Sequence, residues 1–419
     1  MITPRHDSVR VEGELGDWQA ITIKFSGKVI PRARTEVFKG SMFAAYPGDI
    51  AFSKIDARNG AVGLIPDSIS KAVVTAEYPV FTPKSDKLRP AYLNHLLRAD
   101  HFKVALQRKA TGTSGRKRVT PEGFLSLEVP VPSLDEQDVL VGTYDDALIR
   151  AAQLEQEADA IEHAAWQAFE TTLGVAAPIA LPDWPVFVAR FKDVERWSYE
   201  SILKTSTSGP EHTSPWPLAR LGNLIADLEN GWSPKCNDHP ARGGKWGVLK
   251  LGAVSFGTFD ELENKELPTR LQPRTEYEVQ PGDVLISRAN VTRYVGACVY
   301  VESTRTKLML CDKIFRVRFL HDGMLLPRFL AETMKLQLVR EQIESRLTGT
   351  SPTMKNISKP SLLDLQFPLP DAHVQEQLVT DLYSARTSAV SRRIEATTLR
   401  QSSWTTFEST LFTVSVPAE

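Results

Sequence analysis

The 419-residue sequence predicts a mixed α/β (α+β) protein built from two similar domains, each followed by a long helix. Two observations support this prediction. Five short motifs occur twice in the same order, and each set leads into a stretch of helical periodicity about three times as long as an average helix. We expect the two long helices to pair as an antiparallel coiled coil, which would relate the two halves by pseudo-two-fold symmetry.

The repeat is defined by five motifs at nearly constant separation. Pro-Gly-Asp with an apolar strand after it occurs at 47–54 and 281–288, Thr-Gly-Thr-Ser at 111–114 and 348–351, Leu-x-x-Pro-x-Pro at 127–132 and 365–370, Glu-Gln at 136–137 and 376–377, and Trp-x-x-Phe-Glu at 166–170 and 404–408. The offset is 234 residues at the first motif and 238 at the last. Because solenoid repeats have periods of about 20–50 residues, this offset indicates a duplicated domain.

Each copy shows the same succession of short strands and a helix. Alternating apolar residues and glycine-containing turns predict strands at 20–25, 50–52, 60–65 and 73–81, followed by a helix at 91–107. The second copy predicts strands at 284–287, 296–301 and 313–319, and a helix at 327–347 that begins with proline. Both domains are therefore expected to hold small sheets and much irregular structure.

The stretch 135–173 has the features of one long helix. It has no proline and a single glycine, Gly142, and its apolar and small residues step by four and three positions, as in a coiled-coil seam. The second copy keeps this register at an offset of 238. A helix of these 39 residues would be about 58 Å long. The alternative is two unrelated surface helices, each covering its own domain.

The composition favours a globular protein with a polyanionic partner. Hydrophobic residues make up 42% and charged residues 24%, no apolar run is long enough to predict a membrane-spanning helix, and residues 1–7 lack the apolar core expected of a signal peptide. Cys236, Cys298 and Cys311 are too few for a disulfide framework, so we expect a cytoplasmic protein. The net charge is −1, but the segment 101–120 holds six lysines and arginines and no acidic residue.

Sequence patterns for catalysis and metal binding are missing. There is no G-x-x-x-x-G-K-[ST] phosphate loop and no Asn-Pro-Pro-Tyr-like methyltransferase motif. Cys236 and His239 lack the second ligand pair that structural zinc needs. Glu263 and Lys265 with Asp238 superficially resemble a nuclease set, but a solvated loop is the simpler interpretation. We predict no catalytic residue, no metal site and no cofactor for the chain.

Taken together, the repeated motifs resemble those of the DNA-specificity (S) subunits of type I restriction–modification systems, and this resemblance covers most of the chain. It implies two target-recognition domains, at 1–133 and 216–372, with a linker at 175–215. Each domain would recognise one half of a split DNA site. The helices at 134–174 and 373–412 would form a spacer between the two domains.

The resemblance also implies a set of partners. The spacer would dock two methyltransferase subunits, which themselves bind S-adenosylmethionine, and motor-nuclease (restriction) subunits would join them. Because one turn of DNA is about 34 Å, a rigid spacer would hold the half-sites one or two turns apart. Two alternatives remain: a stand-alone DNA-binding or scaffolding protein, and a self-contained modification–restriction enzyme.

Two kinds of loop are the candidate DNA contacts. The Thr-Gly-Thr-Ser segments with the residues after them, 111–118 and 348–355, are called the hydroxyl turns here, and their hydroxyls, amides and cations suit phosphates. The segments 53–59 and 287–293, called the reader loops, differ between the copies and suit base edges. The candidates are Thr111, Thr113, Ser114, Arg116, Lys117, Arg118, Thr348, Thr350, Ser351 and Lys355 in the hydroxyl turns, Lys54, Arg58, Asn59, Arg288, Asn290 and Arg293 in the reader loops, and Lys28, Arg32 and Arg34 as further phosphate contacts. The alternative is that these are ordinary solvated loops and structural turns.

The two copies differ at their starts. At an offset of 234, Met1 would align with Lys235, whereas the second domain opens near Trp216. We therefore expect the first domain to lack about 20 or more residues at its start, either because this domain is naturally shorter or because the chain starts downstream of its true beginning.

Overall fold

The computed structural model describes residues 2–13, 15–32, 38–84, 86–111, 117–175, 214–254, 257–321, 323–351 and 354–413. These residues form two compact units. The first unit comprises residues 1–157 and 391–419, and the second comprises residues 158–390. No helix in the described part of the chain is long and apolar enough to cross a membrane.

The first unit contains the first predicted domain. Its strands are β1 (Ile2–Arg5), β2 (Ser8–Gly13), β3 (Gln19–Ile23), β4 (Val29–Pro31), β5 (Phe38–Ala45), β6 (Ile50–Phe52), β7 (Val62–Leu64), β8 (Ala72–Val74) and β9 (Val80–Pro83). Its helices are α1 (Pro90–Leu96), α2 (Asp100–Lys109) and α3 (Pro121–Leu125). They are followed by the long helix α4 (Leu134–Thr172), whose residues up to 157 belong to this unit.

Two sheets make up the first domain. One has the strand order β1-β9-β6-β7 and the other β2-β5-β8-β3-β4. The core beneath the first sheet is built around the stacked rings of Phe52, Phe81 and Phe124, whose centroids lie 4.3–6.1 Å apart. Apolar residues of α1 and α2 complete this core, which gives the short strands a rigid support.

The second unit contains the second domain. Its strands are β10 (Leu218–Arg220), β11 (Ile225–Asn230), β12 (Gly247–Leu249), β13 (Asn264–Glu266), β14 (Val284–Ser287), β15 (Ala289–Asn290), β16 (Cys298–Tyr300), β17 (Leu308–Met309), β18 (Ile314–Phe319), β19 (Lys355–Asn356) and β20 (Gln366–Pro368). Its short helices are α5 (Pro327–Thr333), α6 (Gln337–Ser345) and α7 (Lys359–Leu363), and the long helix α8 (Ala372–Thr413) follows.

One four-stranded sheet is common to both domains. The order β11-β18-β14-β16 corresponds to β1-β9-β6-β7, and every pair in both sheets is antiparallel. Arg5 is the cross-strand partner of Val80 in the first domain, and Glu229 is the cross-strand partner of Arg316 at the equivalent position in the second. The offset at the first strand is therefore 224, the difference between 5 and 229. The predicted alignment of Met1 with Lys235 is wrong, because the second domain has ten more residues between this strand and its Pro-Gly-Asp turn.

Three predicted elements are interrupted, one strand and two helices. The strand predicted at 73–81 is β8 and β9, separated by a turn in which the N–H of Tyr78 bonds to the carbonyl of Thr75 (2.9 Å). The helix predicted in each domain is a pair, α1–α2 and α5–α6. Both breaks fall at equivalent positions. The backbone N–H groups of Ala99 and Leu336 each donate to the carbonyl three residues earlier (3.1 and 3.0 Å), and not to the carbonyl four residues earlier as in a continuous α-helix.

Within the first unit the two long helices contact each other along a seam rich in alanine. Ala151 and Leu154 of α4 pack with Ala396 of α8, and all three are fully buried. The flanking pairs are Tyr144 with Phe407, Glu155 with Arg400, and Glu157 with Arg392. Since the residue numbers rise along α4 as they fall along α8, the contacts run antiparallel. This contradicts two unrelated surface helices.

A buried glutamine anchors each long helix to its own domain. Gln137 accepts a hydrogen bond from the N–H of Arg89 (2.8 Å) and donates to the carbonyls of Lys87 (3.1 Å) and Pro132 (2.9 Å). Gln375 makes the corresponding three bonds in the second domain, at 2.8–2.9 Å. Each side-chain amide thus uses three of its bonding positions to fix the start of helix α1 or α5 against the long helix.

The structure corrects one repeat motif. The Glu-Gln pair predicts that Gln137 corresponds to Gln377, but the equivalent residue is Gln375, at an offset of 238. Gln377 is exposed and bonds to Asp381 on its own helix (2.9 Å). The sequence 374–377, Val-Gln-Glu-Gln, offers two glutamines, and only the buried one reproduces the contacts.

Candidate nucleic-acid interface

The Pro-Gly-Asp turn of the first domain is a structural support. The buried Asp49 carboxylate accepts hydrogen bonds from the N–H of Tyr46 (2.9 Å), the guanidinium of Arg5 (2.7 Å) and the hydroxyl of Thr82 (2.7 Å). Gly48 has a φ of +84°, which favours glycine. The turn therefore fixes the start of β6 and, through it, the reader loop that follows.

The second domain builds the same turn with a cation from a different strand. Asp283 accepts from the N–H of Gln280 (2.9 Å), the position of Tyr46, and from Arg316 of β18 (3.2 Å). Arg316 also binds Glu229 of β11 (2.8 Å), which stands where the first domain has Arg5. The aspartate is kept while the charges around it are exchanged, so the motif belongs to the frame.

In the first domain the reader loop and the hydroxyl turn are joined at Lys54. The N–H of Lys54 donates to the carbonyl of Glu77 (3.0 Å), and its carbonyl accepts from the N–H of Val119 (2.8 Å). Val119 directly follows the hydroxyl turn, which is closed by paired backbone bonds between Thr111 and Arg118 (both 2.9 Å). The N–H and the carbonyl of Lys54 are thus both hydrogen-bonded, so its side chain projects from a fixed backbone position.

The second domain reproduces this junction at Arg288. Its N–H donates to the carbonyl of Lys313 (2.9 Å), and its carbonyl accepts from the N–H of Ile357 (3.0 Å). The second hydroxyl turn is closed by paired bonds between Thr348 and Asn356 (both 2.9 Å). A long cationic side chain therefore starts from the same backbone junction in both domains, although the surrounding residues differ.

The hydroxyl turns themselves are only partly described. Thr113, Ser114 and Arg116 of the first turn, and Arg34, lie outside the described residues. In the second turn Thr350 and Ser351 are exposed, and Lys355 lies opposite Asn290 of the reader loop in the β15–β19 ladder. The amine of Lys355 donates to the carbonyl of Gly349 (2.7 Å), so this lysine stabilises the turn.

Other candidate residues of the reader loops occupy more varied settings. Arg58 and Asn59 lie on a single helical turn, where Arg58 is half-buried and Asn59 is exposed. The side-chain oxygen of Asn290 accepts from the next backbone N–H (2.8 Å), which leaves its amide donor for a base edge. Arg288 lies over the ring of Phe315 (5.7 Å), and the exposed Arg293 lies over Tyr294 (4.3 Å).

The β3–β4 hairpin, which carries Lys28, adjoins the first reader loop. Lys28 and Arg32 are exposed on the β3–β4 hairpin. Gly60, directly after Asn59, approaches this hairpin so closely that a Cβ there would lie 2.4 Å from the carbonyl oxygen of Phe25. The hairpin that carries Lys28 thus touches the loop that carries Arg58 and Asn59, which the sequence did not predict.

Ion pairing separates two groups of cations. Within the described residues, Lys54, Lys117 and Arg288 make no salt bridge, whereas Arg118 lies 3.4 Å from Glu77. The residues of the nuclease-like set are neutralised: Lys265 binds Asp238 and Lys250 binds Glu263, each at 2.8 Å. The unpaired cations at the two junctions, Lys54 and Arg288, are therefore available to DNA. No cluster of metal-ligating side chains occurs in the described ranges.

Comparison with known proteins indicates the family. No protein-family model matches the chain. The chain is 27% identical over 409 residues to the specificity subunit of the type I restriction enzyme EcoEI from Escherichia coli, covering 83% of this chain and 68% of that protein. It is 21% identical to the EcoKI specificity subunit of E. coli strain K12, covering 69% of this chain and 56% of that one. The chain is therefore similar to type I specificity subunits over most of its length.

Solved structures of the family share the fold. The HsdS subunit from Thermoanaerobacter tengcongensis aligns with a TM-score of 0.50 at 15% identity, covering 97% of this chain and 94% of that one. A chain from a study of assembly and conformational transition of the type I system aligns with a TM-score of 0.55 at 16% identity, covering 99% and 97%. The fold is therefore that of a specificity subunit, although few side chains are shared.

Some residues of the junctions could not be found from the sequence. Glu77 and Lys313 bind the reader loops through their carbonyls alone, so their side chains carry no signal. Arg5 and Arg316 support equivalent aspartates from strands that are not equivalent. The signal that the sequence did offer is the position of Lys54 and Arg288, which share the offset of 234 with the Pro-Gly-Asp motif.

Proposed function

We propose that this chain directs type I methyltransferase and restriction subunits to a bipartite DNA site. Each domain binds one half of the site, and the chain itself performs no chemistry. The observation that carries the proposal is the repeated junction. There the side chains of Lys54 and Arg288 project from equivalent backbone positions, each beside a hydroxyl turn. Similarity to the specificity-subunit family supports the same function.

The two loops at each junction have different roles. The hydroxyl turn, with Lys117 beside it in the first domain, binds phosphates and sets the orientation of the domain on the duplex. The reader loop enters the major groove, where lysine and arginine suit guanine and asparagine suits adenine. Since the reader loops differ between the domains, the two half-sites have different sequences.

The partners are inferred from the family. Two methyltransferase subunits dock along α4 and α8 and bring S-adenosylmethionine, and motor-nuclease subunits join this assembly. A stand-alone DNA-binding or scaffolding protein, or a self-contained enzyme, is not favoured, because the curated relatives are named as specificity subunits of multi-subunit enzymes.

Methylation mapping in cells tests this function. The chain is co-expressed with a methyltransferase that co-purifies with it, and the methylated bases of the host DNA are sequenced. A gapped motif that disappears when the gene of this chain is deleted is the expected result. Unchanged methylation after deletion contradicts the proposal, and methyl transfer by the purified chain alone would favour the self-contained enzyme.

A heptad insertion tests the role of the long helices. Seven residues added at matching positions in α4 and α8 should lengthen the gap between the half-sites and leave the half-site sequences unchanged. A change in the half-site sequences would contradict this division of roles.

A further inference from the structure

A cavity of about 310 Å³ lies beside Lys54 in the first domain. Its walls come from the ends of β1 and β5, the turn before β9, and helix α3. The residues that matter for its chemistry are His6, Phe43, Lys54, Tyr78, Glu122 and Leu125. Its volume falls at the lower end of the range of small-molecule sites, about 300–1,000 Å³.

The lining combines ring surfaces with unused polar groups. Phe43 and Tyr78 are half-buried and offer flat apolar faces, and Leu125, 45% exposed, forms part of the rim. The amine of Lys54, the imidazole of His6, the carboxylate of Glu122 and the hydroxyl of Tyr78 bond to no other side chain or backbone group within the described residues. Aromatic surface with an amine, an imidazole and a carboxylate beside it suits a planar heterocycle that carries a phosphate.

The second domain has different residues at the corresponding positions. The N–H of Arg288 donates to the carbonyl of Lys313 as that of Lys54 donates to Glu77, so Lys313 is equivalent to Glu77. The next residue, Ile314, therefore stands in the place of Tyr78. Lys359 replaces the lining residue Pro121 and makes an ion pair with Asp227 of β11. The cavity is therefore a feature of the first domain and is not needed to build the shared sheet.

A larger cavity in the second unit makes a useful contrast. It measures about 340 Å³ and is lined by Glu332, Lys335 and Arg386 among others. Glu332 binds Arg386 with two bonds of 2.7 Å and Lys335 with one of 2.8 Å. Those charges neutralise one another, whereas the polar groups around the cavity beside Lys54 are left for a ligand.

We propose that the cavity beside Lys54 binds a single nucleotide of the DNA held by the first domain, turned out of the helix. The base packs against Tyr78 and Phe43, Lys54 and Glu122 bond to its polar edge, and the phosphate lies at His6. The source of the nucleotide rests on the proposed function. The chemistry of the site does not, because a free nucleotide carries the same groups.

Titration of the purified full chain with deoxyribonucleoside monophosphates tests the chemistry. At least one of dAMP, dGMP, dCMP and TMP should bind in calorimetry, while deoxyribose 5-phosphate should not. Tyr78→Ala and Leu125→Trp should each weaken binding about tenfold, because they remove or obstruct base stacking. Val104→Trp, at an equally exposed position on α2, should have no effect. Binding of no mononucleotide, or wild-type affinity in both Tyr78→Ala and Leu125→Trp, overturns the proposal.

A fluorescence scan identifies the source of the nucleotide. 2-Aminopurine replaces one base at a time in a duplex bearing the methylated motif, bound by the complete methyltransferase complex. One position in the half-site of the first domain should brighten with the wild-type chain and stay dark with Leu125→Trp, while the base that the methyltransferase itself extrudes should brighten with both. If mononucleotides bind but Leu125→Trp changes the fluorescence at no position, the proposal that the ligand is an extruded DNA nucleotide is overturned. The ligand is then a free nucleotide. If the wild-type complex fails to bind DNA, the proposed function fails and the calorimetry still decides the site.

Discussion

The junction between domain and long helix differs between the two halves of the molecule. In the first unit, Nε2 of His95 lies 3.3 Å from Asp145 of α4, and its Nδ1 accepts a hydrogen bond from Arg98. The rings of Tyr144 and Phe407 pack against this histidine at 5.1 and 5.9 Å. The first junction is thus an aromatic cluster with a neutral imidazole at its centre.

In the second unit the position of His95 is taken by Glu332, three residues before Lys335 as His95 is before Arg98. Glu332 is buried and binds Lys335 and Arg386. Burial alone would raise the pKa of Glu332, but the hydrogen bonds and charges of Arg386 and Lys335 lower it below its ordinary value. The comparison shows that the backbone frame and the buried glutamine are kept, while the polar contacts that complete each junction are not.

The largest expected effect comes from removing the charge of Glu332. Glu332→Gln leaves Lys335 buried without its carboxylate, and losing one partner of a buried ion pair costs about 3–5 kcal/mol of unfolding free energy. The matched change, His95→Gln, replaces a neutral side chain and should cost about 1–2 kcal/mol. Urea denaturation gives the two values, and hydrogen exchange assigns each loss to its unit. Equal losses would contradict the difference between the junctions.

The shared glutamines should behave alike. Gln137→Leu and Gln375→Leu each remove three buried hydrogen bonds and leave backbone groups unpaired, at a cost of about 2–3 kcal/mol in unfolding free energy. Gln377→Leu is the control, because Gln377 is exposed. If Gln377→Leu proved as costly as Gln375→Leu, the corrected correspondence of the repeats would be wrong.

The two junctions should also respond differently to pH. Burial and the adjacent Arg98 lower the pKa of His95 to about 3, against about 6.5 in an unfolded chain. Between these values the unfolded chain binds a proton that the folded chain does not, so stability is full above pH 6.5 and falls as pH drops. At pH 5 the loss is about 2 kcal/mol.

Denaturation at several pH values checks this effect. The part of the pH dependence due to His95 should disappear in His95→Gln and persist in His373→Gln, which changes an exposed histidine. A pH dependence between 6.5 and 5 that is the same in His95→Gln and the wild type would mean that His95 is protonated in the folded state.

The smallest expected effects concern DNA affinity. Lys54→Ala and Arg288→Ala should each weaken binding of the complete complex to its duplex about tenfold and lower its salt dependence. Lys24→Ala, at an exposed lysine on the Lys28 hairpin, is the control. Filter binding at several salt concentrations measures both quantities. Unchanged affinity in both variants would remove the junction cations from the interface.

The sequence predicted the elements that occur in both domains, and it did not predict the contacts between the loops. The Pro-Gly-Asp strand and the long helices appear as predicted because turn chemistry and helical periodicity are local properties. The union of reader loop and hydroxyl turn was not predictable, because it depends on backbone bonds of Glu77 and Val119, which any residues could make. Gln375 was missed since Gln377 fits the same short motif, and only burial distinguishes them.

The separate role of each domain is tested most directly by sequencing methylated bases in cells that express reader-loop variants. Lys54→Ala and Arg288→Ala are introduced one at a time beside the methyltransferase. Lys54→Ala should relax the preferred sequence in one half of the motif only, Arg288→Ala should relax the other half, and the gap between the halves should stay the same. If both variants alter the same half, or if either changes the gap, the assignment of one half-site to each domain is contradicted.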